Sequence, residues 1–378
     1  MTGGGGPSQD EAFARIRLLR SPNVGPSTYA HLLARYGDAV AALEALPELA
    51  GRAGRAGRAY APVDRRRVAS EIAALRKAGG RYLFHDSDDY PPLLACTDSA
   101  PPILTVRGDA GLMQRPCVAI VGARNASAAA VRIARDFAHG LAEAGFVVVS
   151  GLARGIDGAA HAGALAAGGA ATIGVIASGI DIAYPPEHAA LQERIATEAL
   201  LLAEQPPGAE PLARHFPARN RIIAGLAAGT EVVEAAPKSG SLITARLAGE
   251  AGREVMAVPG SPLDARSHGC NQLIRDGAVL VQCVQDVVEL LSAFDGTPRT
   301  VLRDSVFDWS VAVAEREITA DVSDLLTTAP VGVDELVRQS GGSVTAGPTR
   351  PRAVGVGGRP GGPPGGRGAL PTRTGLCT

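Results

Sequence analysis

The sequence predicts an α/β protein with a doubly wound, mostly parallel β-sheet, and three features favour this fold class. Short apolar runs alternate with amphipathic segments from Cys117 onward. These runs have the length of strands that are buried on both faces and are too short for buried helices. Glycine-containing turns follow several runs and lead directly into predicted helices, which is the pattern of consecutive βα units.

Before the sheet, residues 10–80 predict a small helical domain that follows a disordered stretch at 1–9. Apolar residues recur at helical spacing on both sides of a turn at 23–27. This turn resembles a helix-hairpin-helix, whose backbone amides can hold a phosphate, although a packing turn is the favoured interpretation. The basic three-residue repeat at 51–58 has nothing to bury, so we expect a solvated linker rather than a nucleic-acid-binding arm.

The core domain is predicted over 81–294. Its apolar strands are expected at 117–121, 146–149, 172–176, 200–203, 231–235, 254–258 and 278–281. After the first strand, Ser127 is expected to cap a helix that ends at Gly145. The apolar residues of that helix share one face, which we expect to pack on the sheet.

The composition changes after Phe294. Residues 295–315 predict a linker, and 316–346 predict two short helices of a small third domain. The last segment, 347–378, combines many glycines and prolines with five arginines and no acidic residue. Such a composition cannot offset chain entropy by burial, so we expect this tail to be disordered.

Composition excludes several classes of function. No apolar run approaches the ~20 residues of a membrane span, and the N-terminus lacks a signal-peptide pattern, so we expect a cytoplasmic protein. The five cysteines are scattered without a Cys-x-x-Cys pair, so we expect no disulfide framework, metal site or cofactor. The net charge is −1, and because the tail is basic, the rest of the chain is acidic. A polyanion would have to be bound by a local basic patch.

Ligands of doubly wound sheets bind outside the carboxyl ends of the strands, and the loops at these positions are unusual. The loop after the first strand contains Gly122 and Arg124 but lacks the Gly-x-Gly-x-x-Gly dinucleotide pattern. A later loop places Lys238, one of only two lysines, before a Gly-Ser turn that is not a Walker A motif. Another cluster puts three arginines beside Phe216, a combination that suits stacked single-stranded bases.

We expect these loops to converge on one edge of the sheet as a string of phosphate contacts. The predicted phosphate-binding residues are Gly122, Arg124, Ser150, Gly151, Arg154, Arg219, Asn220, Arg221, Lys238, Ser239, Gly240 and Ser241, and Phe216 is the predicted base-stacking residue.

Structural roles are open for several of these residues. The arginines could instead pair with Glu204 or Glu234, and Phe216 could fill the core. Asp157 and His161 lie one helical turn apart and could form an acid/base pair. A structural role is favoured for both, because an acidic residue is stabilised in the first turn of a helix.

The motifs together resemble the DprA/Smf DNA-processing family. The resemblance is carried by the segments that begin at Ile120, Ser150, Phe216, Lys238 and Val258, and by residues 184–185, 266–269 and 271–277. It extends from residue 10 to about residue 340. It implies an extended Rossmann-like core, a sterile-alpha-motif-like helical domain before it, and a winged helix after it. Residues 331–340 resemble only the opening of that winged helix, so a truncated remnant is expected.

The resemblance also implies a function. Members of the family are mediators that bind and protect incoming single-stranded DNA during natural transformation and help to load the RecA recombinase, without making or breaking a bond. Arg124 and Lys238 would be the principal phosphate contacts. A homodimer is implied, with Leu273 and Ile274 as candidate contacts, and single-strand-binding protein is a further candidate partner.

The alternative function is a nucleotide-processing enzyme related to the lysine-decarboxylase-like phosphoribohydrolases. Those enzymes carry a glutamate in a Gly-Gly-x-Gly-Thr-x-x-Glu loop. The loop that begins at Lys238 has apolar and small residues where that acid is needed, so general acid/base catalysis would lack its central group.

Overall fold

The computed structural model describes residues 6–52, 60–292, 331–332 and 367–368. The chain divides into two compact units, Met1–Arg299 and Thr300–Thr378. The first unit begins with four helices, which are α1 (Gln9–Arg20), α2 (Pro26–Tyr36), α3 (Ala39–Arg52) and α4 (Arg65–Lys77). Facing apolar residues of α1, α2 and α3 form a small core of their own, and Val68 of α4 packs with Ile16, Phe84 and Ile103.

The start of α1 corrects the N-terminal prediction. The Ser8 hydroxyl accepts a hydrogen bond from the Glu11 amide and caps the helix, so order begins inside the stretch predicted to be disordered. Residues 51–52 of the basic repeat belong to α3, and the rest of the repeat lies outside the described residues.

The sheet of the first unit contains nine strands. They are β1 (Arg81–Phe84), β2 (Ile103–Gly108), β3 (Cys117–Val121), β4 (Val147–Ser150), β5 (Thr172–Ile176), β6 (Leu200–Ala203), β7 (Gly229–Val232), β8 (Glu254–Ala257) and β9 (Val279–Leu280). Their order across the sheet is β1-β2-β6-β5-β4-β3-β7-β8-β9.

Strands β3 to β9 are parallel, which confirms the predicted fold class. Six of the seven nearly coincide with the predicted runs, and β7 is displaced towards the N-terminus of its run. The sequence prediction did not include β1 and β2, which pair antiparallel with each other and with β6. No crossover helix joins them in a βα unit, so the alternation that predicts the other strands is absent there.

Helices cover both faces of the sheet. They are α5 (Pro92–Ala95), α6 (Ala128–Glu143), α7 (Ile156–Ala166), α8 (Ala189–Glu198), α9 (His215–Leu226), α10 (Gly240–Glu250), α11 (His268–Arg275) and α12 (Val284–Ser292). Apolar residues of α6, α7 and α12 pack on one face, and those of α8, α9, α10 and α11 pack on the other. As predicted, Ser127 caps α6 by accepting from the Ala130 amide at 3.1 Å.

Strand β3 is the point at which the strand order reverses. The chain runs from β3 to β4 on one side and later returns to place β7 on the other side. The carboxyl ends of β3 and β7 therefore flank the crevice in which doubly wound folds bind their ligands. Among the described residues, no helix has the length and apolarity to cross a membrane.

In the second unit, β10 (Val331–Gly332) and β11 (Arg367–Gly368) form an antiparallel pair. The predicted linker at 295–315 lies outside the described residues, as does the rest of the predicted winged-helix remnant at 316–346 and of the predicted disordered tail at 347–378.

Candidate nucleic-acid interface

A cleft of about 910 Å³ opens at the switch point between β3 and β7. One wall is the loop after β3, and the opposite wall is the loop after β7 with the start of α10. The start of α9 and Tyr184 close one end. The predicted site residues that line this switch-point cleft are Gly122, Arg124, Phe216, Arg219, Asn220, Lys238, Ser239, Gly240 and Ser241.

Lys238 occupies a backbone conformation that a lysine rarely adopts. The Ser239 amide donates to the Ala236 carbonyl at 3.1 Å, which closes a β-turn with Pro237 and Lys238 at its centre. The φ angle of Lys238 is +68°, in the left-handed region that favours glycine at this turn position. A strained turn is tolerated where the side chain it presents has a use, and this side chain lines the switch-point cleft.

The turn leads into an open helix start. Ser239 is the N-cap residue of α10, but its hydroxyl makes no capping hydrogen bond and pairs instead with the Ser241 hydroxyl at 2.8 Å. The first amides of α10 thus lack a side-chain acceptor at the N-cap, beside the Lys238 ammonium. A helix start with free amides and an adjacent cation attracts anions.

An aromatic and cationic stack forms the other end of the cleft. The Arg124 guanidinium lies 5.1 Å from the centroid of the Phe216 ring. The centroids of the Tyr184 and Phe216 rings are 5.5 Å apart, and the two ring planes are tilted by 59°. Tyr184 is 42% exposed. The sequence prediction included Phe216 and missed Tyr184, although residues 184–185 formed part of the family resemblance.

Arg219 contributes a buried charge beneath the cleft. It is 6% exposed, and a side chain on Gly151 would collide with its guanidinium, because a Cβ there would lie 1.4 Å from Nη1. The pKa of Arg219 is lowered to about 10, because the effect of burial, with a smaller contribution from Arg124, outweighs the opposing effect of Asp157. Arg219 therefore stays cationic at neutral pH.

Asp157 and His161 have structural roles, which agrees with the favoured interpretation. The Asp157 carboxylate accepts from the Gly151 amide at 3.1 Å, and burial raises its pKa against the effect of nearby Arg219. His161 is fully buried, and its Nδ1 donates to Thr172 Oγ1 at 2.8 Å, since that hydroxyl donates to Val148. Burial lowers the pKa of His161 to about 3, so the ring stays neutral.

Two predicted phosphate contacts, Ser150 and Gly151, have polar groups that are hydrogen-bonded inside the protein. The Ser150 hydroxyl is buried and donates to the Ile120 carbonyl at 2.6 Å. The Gly151 amide donates to Asp157. Their loop turns its backbone donors inward, which sequence spacing does not reveal.

Two predicted arginines lie outside the switch-point cleft. Arg221 donates to Glu204 at 2.5 Å and lines a separate cavity of about 510 Å³. The alternative of an ion pair with Glu204 is confirmed for this residue. Arg154 forms an exposed ion pair with Glu187 and borders a small recess that also touches Arg124 and Phe216.

The fold and the cleft define a Rossmann-like α/β protein with a basic, aromatic-lined cleft at its topological switch point and a helical unit before the sheet. The chain belongs to the DprA/Smf family. Residues 81–292 match the family model for DNA recombination-mediator protein A, and residues 9–74 match the DprA-like N-terminal HHH domain. This confirms the resemblance found in the sequence.

Relatives and solved structures agree with this assignment. The DNA processing protein DprA of Streptococcus pneumoniae is 49% identical over 53% of this chain and 71% of that protein. Protein Smf of Synechocystis is 43% identical over 56% of this chain and only 54% of that protein. The X-ray structure of the pneumococcal protein superposes with a TM-score of 0.65 at 38% identity, covering 73% of this chain and 97% of that one.

The DNA processing protein A of Helicobacter pylori, whose structure describes a single-stranded DNA binding mode, is also similar. It superposes with a TM-score of 0.51 at 30% identity and covers 57% of this chain and 96% of that one. Among the described residues, no cluster of histidine, cysteine, aspartate or glutamate could hold a metal ion.

Proposed function

We propose that this protein binds single-stranded DNA in the switch-point cleft and acts as a recombination mediator. The observation that carries the proposal is the presence of two unlike groups of residues in one cleft. Lys238 and the open start of α10 form an anion-binding end, and Arg124, Phe216 and Tyr184 form a stacking end. A polynucleotide offers a phosphate and a base face at every step.

The phosphate contacts follow from this arrangement. Lys238 and the start of α10 would hold one backbone phosphate. The donors would be the Lys238 ammonium, the Gly240 and Ser241 amides, and one hydroxyl of the Ser239–Ser241 pair. Arg124 would contact another, and Asn220 borders the same wall by donating to the Gly240 carbonyl at 3.3 Å. The positive charge of buried Arg219 would attract the phosphates without contacting them directly.

The stacking end accounts for a preference for single strands. Bases in a duplex are stacked on one another and cannot lay a free face on Phe216 or Tyr184, whereas an unpaired base can. The acidic body of the chain would repel nucleic acid elsewhere, so binding would be confined to the basic cleft.

We favour a binding function over the phosphoribohydrolase alternative. The two carboxylates nearest the cleft loops already have partners, since Asp157 accepts from Gly151 and Glu234 accepts twice from Ser127. A general acid or base must be free to exchange a proton with a substrate. The protein would therefore protect and present its DNA without chemical change.

A recombination mediator must also transfer its bound DNA to other proteins. We propose that the protein works in the cytoplasm as a homodimer that loads RecA onto DNA, with single-strand-binding protein as a further partner. Leu273 and Ile274 of α11, the candidate dimer contacts, are half-buried against the main core of their own chain. The adjacent edge strand β9 is more exposed, with Val279 at 37% and Leu280 at 43%.

Fluorescence anisotropy tests the proposal directly. A labelled oligothymidine, a duplex of equal length and a free mononucleotide would each be titrated at two salt concentrations. We expect tight binding of the single strand that weakens with salt, weaker binding of the duplex and no turnover of the mononucleotide.

A matched pair of variants locates the binding site. Arg124→Ala should weaken oligothymidine binding and flatten its salt dependence, while Arg132→Ala, at an exposed arginine of α6, should change neither. Equal effects of the two variants, or turnover of the mononucleotide, would refute the assignment.

A further inference from the structure

The start of α6 is the position at which a Rossmann-like sheet ordinarily holds a ligand phosphate. This helix follows β3, the strand at the switch point. The first amides of a helix in this position ordinarily face the ligand of a doubly wound fold. In this protein an internal carboxylate takes that place. Glu234 Oε1 accepts from the Ser127 amide at 3.0 Å, and Glu234 Oε2 accepts from the Ser127 hydroxyl at 2.7 Å.

Glu234 is held in this position by hydrogen bonds to its backbone as well as to its side chain. It follows β7, the neighbour of β3, and its backbone carbonyl accepts from the Ala123 amide at 2.7 Å. Its side chain is buried, with the residue 6% exposed. The Ser127 hydroxyl that donates to Glu234 also accepts from the Ala130 amide, so Glu234, Ser127 and Ala130 form one chain of hydrogen bonds at the N-cap of α6. A carboxylate there is stabilised by the same helix dipole that would attract a phosphate.

The two helix starts that flank β3 and β7 are therefore opposite in character. The start of α6 is filled by an anion of the protein itself, and the start of α10 is open beside Lys238. A nucleoside diphosphate or a dinucleotide carries adjacent phosphates that need a site at the start of α6 in this fold. That site is both filled and negatively charged here.

We infer that Glu234 is a specificity-determining residue that closes the start of α6 to phosphate and so excludes nucleotides that carry a pyrophosphate. The exclusion of nucleotides that carry a pyrophosphate is argued from the hydrogen bonds of Glu234 alone. That the cleft instead admits a polynucleotide, whose phosphates are separated by sugars, rests on the proposed function. Steric filling and charge both act against the phosphate, and each can be removed separately.

The test is a titration with ADP of the full-length wild-type protein and three variants. Glu234→Ala removes the side chain and should bind ADP at least about tenfold more tightly than the wild type, with a melting temperature that rises with ADP concentration. Glu234→Ser leaves a hydroxyl acceptor near Ser127 and should also bind ADP more tightly than the wild type. This variant replaces the alanine variant in the test if the alanine variant does not fold. Glu234→Gln removes the charge but keeps the site filled, so its affinity for ADP should lie between those of the wild type and the alanine variant.

The outcomes separate this inference from the proposed function. A folded alanine or serine variant that binds ADP no better than the wild type would overturn the exclusion. Wild-type protein that already binds ADP as tightly as these variants would do the same. An oligothymidine titration run in parallel reports on the proposed function, because gain of ADP binding would support the role of Glu234 even if no variant bound the oligonucleotide.

Discussion

Lys238 and Arg219 show how single residues supply positive charge to a cleft in an acidic protein. Lys238 presents its ammonium from a left-handed turn beside the open start of α10. Arg219 supplies its charge from beneath the surface, in space that exists because residue 151 is glycine. The first charge is suited to direct contact with a phosphate, and the second raises the local potential without touching solvent freely.

Replacement of Lys238 separates its charge from its backbone strain. Lys238→Gly relieves the left-handed conformation and removes the ammonium, so the protein should stay folded while oligothymidine binding weakens. The slope of log affinity against log salt should fall by about 0.7, the loss of one phosphate contact on a single strand. Lys238→Arg should keep most of the affinity. An unchanged slope in the glycine variant, measured by anisotropy, would remove Lys238 from the interface.

Tyr184 tests the stacking end of the cleft. Tyr184→Leu should weaken oligothymidine binding by about 1–3 kcal/mol, the range for one base stacked on an aromatic ring, without changing the salt slope. Tyr184→Phe keeps the ring and should bind as the wild type does. If both variants behave alike, stacking on residue 184 makes no contribution. The same anisotropy titrations at two salt concentrations provide the measurement.

At the scale of elements, helices α6 and α7 approach each other closely on one face of the sheet. A Cβ on Gly163 of α7 would lie 2.2 Å from the Arg135 carbonyl of α6, so only glycine allows this contact. The pair supports the loop from Gly151 to Gly155, which leads into α7. Asp157 lies in the first turn of that helix. The geometry beneath the cleft depends on this helix packing.

Two glycine substitutions distinguish the effect of helix–helix packing on stability from the effect of helix propensity. Gly163→Ala should lower the free energy of unfolding by about 1–3 kcal/mol, because the added methyl forces α6 and α7 apart. Gly249→Ala is the matched control in α10, where a Cβ would touch only a Val255 methyl at 3.8 Å and should raise stability by roughly 0.5 kcal/mol. Urea unfolding measures both. A stable Gly163→Ala variant would contradict the close approach.

At the scale of the whole molecule, the stability of the sheet is coupled to pH through one buried acid. Glu231 lies within β7 between Ile120 of β3 and Met256 of β8, and neither of its carboxylate oxygens has a hydrogen-bond partner within the described structure. Burial raises its pKa to about 8, so the folded protein keeps Glu231 protonated at neutral pH.

The sign of the pH dependence follows from this shift. The unfolded chain releases the Glu231 proton near its ordinary pKa, whereas the folded protein retains it until about pH 8. Stability is therefore greatest below the unfolded pKa and falls as pH rises to about 8, by at most ~1.4 kcal/mol per pH unit.

Glu231→Gln should remove this pH dependence and leave the variant more stable than the wild type at about pH 8. Urea unfolding at about pH 6 and about pH 8 compares the two proteins, with Glu250→Gln, at an exposed acid of α10, as the control. If the difference between wild type and Glu231→Gln were the same at both pH values, Glu231 would not be protonated in the folded protein.

The amino-acid sequence was sufficient to predict the order of the parallel strands along the chain, the cap at Ser127 and the loops that reach the cleft. These features are local, because apolar spacing and turn residues act over a few positions. The position of Lys238 in the cleft also followed, since a residue just after a parallel strand must lie at the carboxyl edge of the sheet.

The direction of each side chain and the groups that it contacts are fixed when the helices and strands pack together. Arg221 pairs with Glu204, Ser150 is buried, and the Tyr184 ring contacts the Phe216 ring at one end of the cleft. Glu234 reaches Ser127, 107 residues earlier in the chain, to fill the start of α6. Such contacts join residues that are distant in sequence, so their geometry depends on how helices and strands pack and is not encoded in local spacing.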